Sequence, residues 1–308
     1  MNIATLTMNP TIDVSFSVDA VFHTRKMRGH DERHAPGGGG INVARVFVRL
    51  GGNARCVYLS GGATGVALDG LLDLHQLVRS KIPIKGETRV STTVFERESQ
   101  REFRFVTDGP EVSADEWRQC LDQLALVECD YLVASGSLPR GVPADFYARA
   151  ASLAKARGVR FVLDSSGHGL AQGLAAGNVF LVKPSIGELR ALTGLPLESD
   201  QEIAEAARAI VARGEAENVA VTMGRDGAML VNASSSWRLA ALQVEVASAV
   251  GAGDSFLAAM VHALASGRPI EDAFRFGIAA GTAAILTPGT GLAQPKDIER
   301  LYSAALAR

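Results

Sequence analysis

Short runs of β-branched and other apolar residues alternate with amphipathic runs along most of this chain. Segment 131–135 predicts a buried strand, 145–157 a helix and 160–163 the next strand. This order is typical of an α/β fold, in which helices flank a mostly parallel central sheet. The other predicted strands are 3–6, 54–60, 179–182, 218–222, 228–231 and 237–240, and the other predicted helices are 41–50, 65–75, 115–126, 186–193, 201–212, those beginning at 255 and 270, and 297–307.

Two segments break this alternation. Residues 13–18 and residues 89–107, which turn back at 98–100, alternate polar with apolar side chains. A period of two is typical of antiparallel strands with one face in water. We expect the two segments to join as a small sheet beside the main one, as a lid over a cleft or as a dimer surface.

Composition and charge exclude several classes of function. The chain has 308 residues, with 31 Lys and Arg against 33 Asp and Glu, for a formal net charge of −2. This balance disfavours nucleic acid or an anionic membrane surface as a partner. No apolar run of about 18 residues predicts a membrane span, and the first residues lack the pattern of a signal peptide. Three cysteines without CxxC spacing suit a reducing compartment, so we expect a cytoplasmic protein.

The segment SAVGAGDS (248–255) places a glycine turn directly before a predicted helix. Unpaired N–H groups at such a start, together with the helix dipole, form an anion-binding site. Asp254 lies there, and a carboxylate beside such a site can accept a proton from a hydroxyl during phosphoryl transfer. The simpler interpretation is that Asp254 only caps the helix. The segment is neither a P-loop nor a dinucleotide-binding motif.

A second glycine cluster, Gly37–Gly40, precedes Asn42 and another predicted helix. Four glycines in a row are typical either of a hinge or of backbone that packs closely on a small polar ligand. Asp13 follows the first predicted strand, at the edge where open α/β sheets bind ligands, although a solvated loop Asp fits the same pattern.

Charged side chains suggest two further contacts with a ligand. Glu188 follows Lys183 at the start of a helix, where a carboxylate suits the water shell of Mg²⁺ bound to phosphates. No zinc site is expected from the six histidines. Four cations on or near the predicted lid strands would clamp a sugar phosphate as a group, although each alone is expected to face water; they are Lys26, Arg28, Arg89 and Arg104.

These residues together make the chain resemble the PfkB, or ribokinase-like, family of carbohydrate kinases over essentially its whole length. The segments GGGGINVAR (37–45) and VGAGDS (250–255) carry most of the resemblance. It implies one ribokinase-like α/β kinase domain over 1–308, with a small antiparallel β-lid built from segments near 13–34 and 87–107. Further segments match in order, namely 135–139, 162–167, 181–184 and 276–281.

The segment TLTMNPTID (5–13) and the loop GGGGIN (37–42) resemble the hexose-phosphate branch of the family, in particular its minor bacterial 6-phosphofructokinases. This implies ATP-dependent phosphorylation of the 1-hydroxyl of fructose 6-phosphate. Tagatose 6-phosphate and fructose 1-phosphate remain alternative substrates. A catalytically silent sugar-phosphate-binding regulator is a third hypothesis, which the intact Asp254 and its glycine loop disfavour.

The resemblance also implies a role for individual residues. Asp254 would be the base, and the backbone of Gly251, Ala252 and Gly253 would stabilise the transferred phosphoryl group. The sugar hydroxyls would contact Asp13, Gly38, Gly39 and Asn42, with Ser137 beside the sugar, and the 6-phosphate would contact Lys26, Arg104 and Arg89, the last from either subunit of a homodimer paired through the lid sheets. The MgATP site would include Lys183, Ser185, Glu188, Thr222, Gly224, Gly227 and Ser248, with Glu188 supporting the metal indirectly.

Three positions depart from the family pattern. Ser185 stands where the family usually has Asn in its NxxE metal motif, so a hydroxyl replaces an amide. Ser248 stands where an Asp is common. The loop LTPGTG (286–291) lies at the family's potassium site but differs in its polar residues, which leaves K⁺ as an open cofactor beside MgATP.

Overall fold

The computed structural model describes residues 2–287, 289 and 291–306 of the chain. The strands within these residues are β1 (Asn2–Thr7), β2 (Thr11–Val18), β3 (His30–Gly37), β4 (Asn53–Ser60), β5 (Val78–Pro83), β6 (Arg89–Glu96), β7 (Arg101–Phe105), β8 (Tyr131–Ser135), β9 (Arg160–Asp164), β10 (Val179–Val182), β11 (Ala216–Thr222), β12 (Ala228–Asn232) and β13 (Ser236–Leu239). The helices are α1 (Gly39–Arg49), α2 (Gly62–Asp73), α3 (Ala114–Leu126), α4 (Phe146–Ala156), α5 (Gly167–Ala175), α6 (Ile186–Thr193), α7 (Asp200–Ala212), α8 (Ala252–Ala265), α9 (Ile270–Ala284) and α10 (Pro295–Leu306), with a short 3₁₀ helix over Gly224–Asp226.

The main sheet has nine strands in the order β13-β12-β11-β10-β9-β8-β1-β4-β5. The seven strands from β11 to β5 in this order all pair in parallel. Near one edge, β12 pairs antiparallel with both of its neighbours, β11 and β13. The predicted mostly parallel α/β sheet is therefore confirmed. The order reverses at β1, with β4 on one side and β8 on the other. Open α/β sheets bind ligands at such a reversal, outside the carboxyl ends of the strands.

Helices cover both faces of the main sheet, and each face buries its own apolar core. Helices α1, α2, α8, α9 and α10 pack on one face, where α8 contributes Phe256, Leu257 and Met260. Helices α3 to α7 pack on the other, where Phe146 and Tyr147 are fully buried. No helix in the described part of the chain has the length and apolar character needed to cross a bilayer.

The small sheet has four strands in the order β3-β2-β6-β7. Both predicted segments lie in it, and the predicted turn between β6 and β7 is confirmed. The two outer pairings are antiparallel, as expected, but β2 and β6 pair in parallel from Thr11 with Arg89 to Val18 with Glu96. The predicted segments therefore meet as a parallel pair at the centre of an otherwise antiparallel lid.

Most element boundaries follow local signals in the sequence. The predicted strands at 131–135 and 179–182 and the helix at 186–193 have the predicted bounds. The Ser113–Glu116 capping box opens α3: the side chain of Ser113 accepts a hydrogen bond from the N–H of Glu116, and the side chain of Glu116 accepts one from the N–H of Ser113. The residue pattern did not predict β3, β5 or α5, although the lid segment near 13–34 that the resemblance implies includes the start of β3. Residue 307, the end of the last predicted helix, lies outside the described residues.

Helix α1 begins in close contact with the end of β1, and glycine makes this approach possible. A Cβ built on Gly40 would lie 2.6 Å from the carbonyl oxygen of Leu6 and 2.5 Å from Oγ1 of Thr7. A clash with strand backbone cannot be relieved by a change of rotamer. By contrast, a Cβ on Gly70, which is exposed in α2, would meet nothing within 4 Å.

These two glycines predict opposite changes in stability on substitution by alanine. Gly40→Ala is expected to lower the free energy of unfolding by about 1–3 kcal/mol, because α1 must shift away from β1. Gly70→Ala is expected to raise it by about 0.5–1 kcal/mol, because alanine loses less backbone entropy in a helix. Urea denaturation of both variants measures the difference, and a stable Gly40→Ala protein would contradict the packing described for α1.

Candidate active site

Gly251 is the N-cap of helix α8 and adopts a left-handed conformation with φ 73°. A Cβ on Gly251 would also lie 2.5 Å from the side chain of Leu292, so this position requires glycine for two reasons. No side chain caps the helix start. The N–H groups of its first turn are therefore available to an anion. The interpretation of Asp254 as the N-cap is wrong, because Gly251 holds that place and Asp254 lies in the first turn.

Asp254 lies against α1, where its Oδ2 accepts a hydrogen bond of 2.9 Å from Nδ2 of Asn42. Burial and the neighbouring carboxylate of Asp164 raise the pKa of Asp254 to about 6, against the opposing effects of Asn42 and Lys183. A carboxylate with a raised pKa is a better proton acceptor and is still ionised near neutral pH. The site thus contains a base suited to removing a proton from a hydroxyl.

The Gly37–Gly40 cluster brings backbone into close contact with the side chains of Thr7, Asp13 and Ser135. A Cβ on Gly37 would lie 2.1 Å from Oδ2 of Asp13, and one on Gly39 would lie 2.1 Å from Oγ of Ser135. Gly38 has φ 112° and serves as the N-cap of α1 without a side-chain bond. The cluster is therefore a fixed, closely packed helix start, and the hinge interpretation is wrong.

Asp13 lies on β2 beside this cluster, so the structure brings it together with Gly38, Gly39 and Asn42. Burial raises the pKa of Asp13 to about 6, although Arg104, Arg45 and Arg89 lower it. The carboxylate of Asp13 and the half-buried backbone of Gly38 and Gly39 form a polar cradle. It can accept hydrogen bonds from hydroxyl groups and donate hydrogen bonds to them.

Ser137 and Arg89 lie at the same end of the sheet, linked through Asn9. The side chain of Asn9 donates to the carbonyl oxygen of Asp108 at 2.9 Å and to Oγ of Ser137 at 3.4 Å. Arg89 donates through Nη1 to the carbonyl of Thr107 and through Nη2 to that of Asn9, both at 2.9 Å. In this structure Arg89 thus bonds to backbone of its own chain at the base of the lid.

The other two predicted phosphate-binding cations are placed less closely. Arg104 lies on β7, exposed, and acts on Asp13 through its charge. Lys26 lies exposed between β2 and β3, and no hydrogen bond or ion pair connects it to the site within the described ranges. The structure therefore brings Arg89 and Arg104 near Asp13 but does not bring Lys26 to them.

Lys183 follows β10 and lies beside the glycine turn of α8, with Nζ 3.4 Å from the Cβ position of Gly253. It forms a buried ion pair with Oδ1 of Asp164 at 3.0 Å, and Oδ2 of Asp164 accepts from Ser135 at 3.1 Å. Burial alone would lower the pKa of Lys183, but Asp164, Asp254 and Glu188 together raise it. The amine is therefore a fixed positive charge at the anion site.

Ser185 and Glu188 form a capping box at the start of α6. The N–H of Glu188 donates to Oγ of Ser185 at 3.2 Å, and the N–H of Ser185 donates to Oε2 of Glu188 at 2.7 Å. Serine in place of the family asparagine thus has a local structural reason, since Ser-x-x-Glu is the preferred box sequence. The box also fixes the orientation of the Glu188 carboxylate.

A pocket of about 450 Å³ opens beside the glycine turn of α8. The lining is mostly apolar and includes the predicted residues Thr222, Gly224, Gly227, Ala252 and Gly253, with Leu242, Val244, Val246, Phe256, Ile278 and Ile285.

Two further predictions concern residues outside this lining. Ser248 is buried, and its Oγ accepts a hydrogen bond of 3.3 Å from the N–H of Val250, two residues along the same turn. Pro288 and Thr290 of the predicted potassium loop lie outside the described residues.

Sequence reasoning did not single out three polar residues that the structure places in the site. Asn9, Arg45 and Asp164 lie within segments quoted above. Asn9 and Asp164 bond to residues 128 and 29 positions away in the chain, and Arg45 bonds to the carbonyl oxygen of Pro36 and to the side chain of Asn42. Their motif membership was the available signal, because spacing alone does not reveal such partners. Among the described residues no group of three or more His, Cys, Asp or Glu side chains is arranged to hold a metal ion by itself.

The raised pKa of Asp254 predicts that the ionised carboxylate destabilises the folded protein. A folded pKa of about 6 against 3.8 means that stability is lost as pH rises between these values and stays low above them. Asp254→Asn is therefore expected to raise the free energy of unfolding by about 1–3 kcal/mol at pH 8, and by several-fold less at pH 4.

Urea denaturation at the two pH values measures this difference. Asp122→Asn is the matched control, because Asp122 is exposed on α3 and its substitution is expected to change stability by less than about 0.5 kcal/mol. An equal gain at both pH values would show that the effect is one of packing and not of ionisation.

Comparison with known proteins agrees with this arrangement. A model of the family described as pfkB family carbohydrate kinase matches residues 6–297. The ATP-dependent 6-phosphofructokinase isozyme 2 of Mycobacterium tuberculosis is 43% identical over 305 residues, which cover 98% of this chain and 89% of that protein.

Solved structures agree with the sequence comparison. Phosphofructokinase-2 from Escherichia coli in complex with fructose-6-phosphate superimposes with a TM-score of 0.93 at 37% identity, over 100% of this chain and 99% of that chain. The tetrameric inhibited form of the Escherichia coli phosphofructokinase-2 superimposes with a TM-score of 0.92 at 37% identity and the same coverage. This chain belongs to the pfkB family of carbohydrate kinases.

Proposed function

We propose that this chain is an ATP-dependent 6-phosphofructokinase, which transfers the γ-phosphoryl group of ATP to the 1-hydroxyl of D-fructose 6-phosphate. One observation carries the proposal: Asp254 lies at an uncapped helix start that an apolar pocket adjoins on one side and the Asp13 cradle on the other. Ala252 and Gly253 line the pocket, and Asn42 connects Asp254 to the cradle. The names of the relatives support the same activity.

In the proposed reaction, Asp254 accepts the proton of the 1-hydroxyl as its oxygen attacks the γ-phosphorus in line. The bond between that phosphorus and the leaving oxygen of ADP breaks, so ADP leaves with the electron pair. The N–H groups of the first turn of α8 and the amine of Lys183 lie where negative charge moves during transfer. Fixed donors of this kind supply most of the catalysis in phosphoryl transfer.

The sugar is proposed to bind in the cradle. Asp13, Gly38, Gly39, Asn42 and Ser137 would contact its hydroxyl groups. The 6-phosphate would be bound by Arg104, Lys26 and Arg89. For this, Lys26 must move towards the site. Arg89 must either release the two backbone carbonyls that it binds or come from a second subunit. Closure of the lid would exclude water and so limit hydrolysis of ATP.

ATP is proposed to place its base in the apolar pocket beside Thr222, Gly224 and Gly227, with its phosphates directed to Lys183 and Ser185. Mg²⁺ typically takes one or two carboxylates together with phosphate oxygens. Glu188 fits this need, because the capping box uses Oε2 and Oε1 accepts no hydrogen bond within the described part of the chain. The bound ion would neutralise phosphate charge, and Glu188 would support its water shell.

We further propose a homodimer that pairs through the lid sheets and works in the cytoplasm, in glycolysis. Phe105 at the end of β7 and Val106 directly after it are 61% and 57% exposed, and contiguous exposed apolar surface is typical of an interaction site. A tetrameric form is described for the Escherichia coli protein, and a lid-paired dimer is the simplest building unit of such an assembly.

A coupled ADP-release assay with MgATP tests the substrate. Fructose 6-phosphate is expected to give a kcat/KM at least about tenfold above those of tagatose 6-phosphate, fructose 1-phosphate and ribose. A preference for tagatose 6-phosphate or fructose 1-phosphate would keep the base and replace the proposed sugar. Sugar binding without turnover of any substrate would instead indicate a regulator.

Asp254→Asn tests the proposed base. We expect kcat to fall by about 10²- to 10⁴-fold, because asparagine keeps the size of the side chain but cannot accept the proton. Asp122→Asn serves again as the control and should leave kcat unchanged. If Asp254→Asn retains more than about a tenth of the wild-type kcat, general base catalysis by this residue is refuted.

A further inference from the structure

Arg45 is a buried guanidinium beneath the proposed catalytic base, one helical turn after Asn42 on α1. Only 6% of the residue is exposed. Nη1 donates to the carbonyl oxygen of Pro36 at 3.0 Å and to Oδ1 of Asn42 at 3.2 Å, and Nε has no partner within the described residues. Burial of a cation is costly unless opposite charges compensate for it.

The compensating charges belong to the two carboxylates of the site. Burial and the charge of Arg49 lower the pKa of Arg45 to about 10, while Asp13 and Asp254 raise it. The guanidinium therefore stays protonated at neutral pH. It is a permanent positive charge that acts on the cradle carboxylate and on the proposed base together.

Arg45 also decides which end of the Asn42 amide faces Asp254. A guanidinium can only donate hydrogen bonds, so Asn42 must turn Oδ1 towards Arg45. Nδ2 of Asn42 is then left to donate to Oδ2 of Asp254 at 2.9 Å. In the reversed orientation two acceptors would face each other, which favours a protonated Asp254 that cannot act as a base.

We propose that Arg45 is a positioning residue for phosphoryl transfer: it holds the Asn42 amide in the orientation that donates to Asp254. Arg45 touches neither substrate nor the transferred group and acts through Asn42. This inference rests on the proposed function, in which the ionised Asp254 accepts the proton of the sugar hydroxyl.

Other charged groups face the same carboxylate and stay in place when residue 45 changes. Asp164 from the end of β9, Lys183 after β10 and Asp13 from β2 act on Asp254. Arg49 and His75 are the other titratable side chains near Arg45. Because these groups are common to all variants, a change in the pH profile on substitution reports the contribution of Arg45.

The test is the dependence of kcat on pH at saturating fructose 6-phosphate and MgATP. In Arg45→Met we expect kcat at pH 7 to fall at least about tenfold, and the midpoint of the acidic limb to rise by about one pH unit or more. Arg45→Lys keeps a positively charged group that can only donate hydrogen bonds, so its midpoint should lie within about half a pH unit of the wild-type value.

Arg49→Met is the matched control, because Arg49 lies one turn further along α1 and donates to the carbonyls of Leu292 and Ala293. Its midpoint should equal that of wild type. An unmoved midpoint in Arg45→Met, or an equal shift in both methionine variants, overturns the proposal. If Arg45→Met does not fold, Arg45→Leu, which also removes every hydrogen-bond donor, makes the same prediction.

Asp254→Asn measured in the same series separates the two proposals. An active Asp254→Asn refutes the catalytic base itself. An inactive Asp254→Asn together with an unmoved midpoint in Arg45→Met refutes only the role of Arg45.

Discussion

The hydrogen bond between Asn42 and Asp254 joins the starts of two helices that are 212 residues apart in the chain. The bond requires both helices to begin at the same edge of the sheet, in close contact with strands and loops. Glycine supplies that closeness at Gly39 and Gly40 for α1 and at Gly251 for α8. Any larger side chain would push α1 away from Leu6, Thr7 and Ser135, or push α8 away from Leu292.

The starts of α1 and α8 differ from those of α3, α6 and α7 in how their N–H groups are satisfied. Helices α3, α6 and α7 begin with Ser-x-x-Glu capping boxes that use these donors internally. Helices α1 and α8 begin at glycine and have no side-chain cap. Uncapped starts cost stability, and their N–H groups are then free to bind oxygen atoms of a ligand. Helices α2, α4, α5 and α9 also lack a side-chain cap, so α1 and α8 are set apart by their position beside Asp13 and Asp254.

The sequence predicts elements best where the signal is local. The capping box at Ser113 and the apolar strand 131–135 need no distant information, and the strand has the predicted bounds. Strand β3 (HDERHAPG) is polar and mostly exposed, so it has no apolar period to indicate a strand. Helix α5 (GHGLAQGLA) has three glycines, which weaken any helical signal. Strand β5 (VRSKIP) lies at the sheet edge with only one buried residue.

The same limit applies to the site. Residues in contiguous motifs, such as Gly38, Asn42 and Asp254, could be predicted because the motif itself carries them. Asp164 and Arg45 depend on contacts that the fold creates. Asp164 bonds to Ser135, which is 29 residues away, through the pairing of β8 and β9. Arg45 becomes informative only when the direction of the Asn42 amide is known, and sequence spacing contains no information about that direction.

The two halves of the chain contribute different parts of the site. The cradle side chains Asp13, Asn42 and Ser137 come from the first half, and the charged groups Asp164, Lys183 and Asp254 come from the second. The halves meet chemically at the bond from Asn42 to Asp254, with Ser135 and Asp164 as a second contact. In the proposed function, a change of Asp13 or Ser137 can therefore alter which hydroxyl groups are bound while the anion site stays intact. Two sugars that differ at one stereocentre are separated by a single hydrogen-bond contact, so the proposal assigns selectivity mainly to the first half of the chain. Phosphoryl transfer would need both halves, because Asp254 and Lys183 come from the second half and Asn42 and Arg45, which orient the base, come from the first.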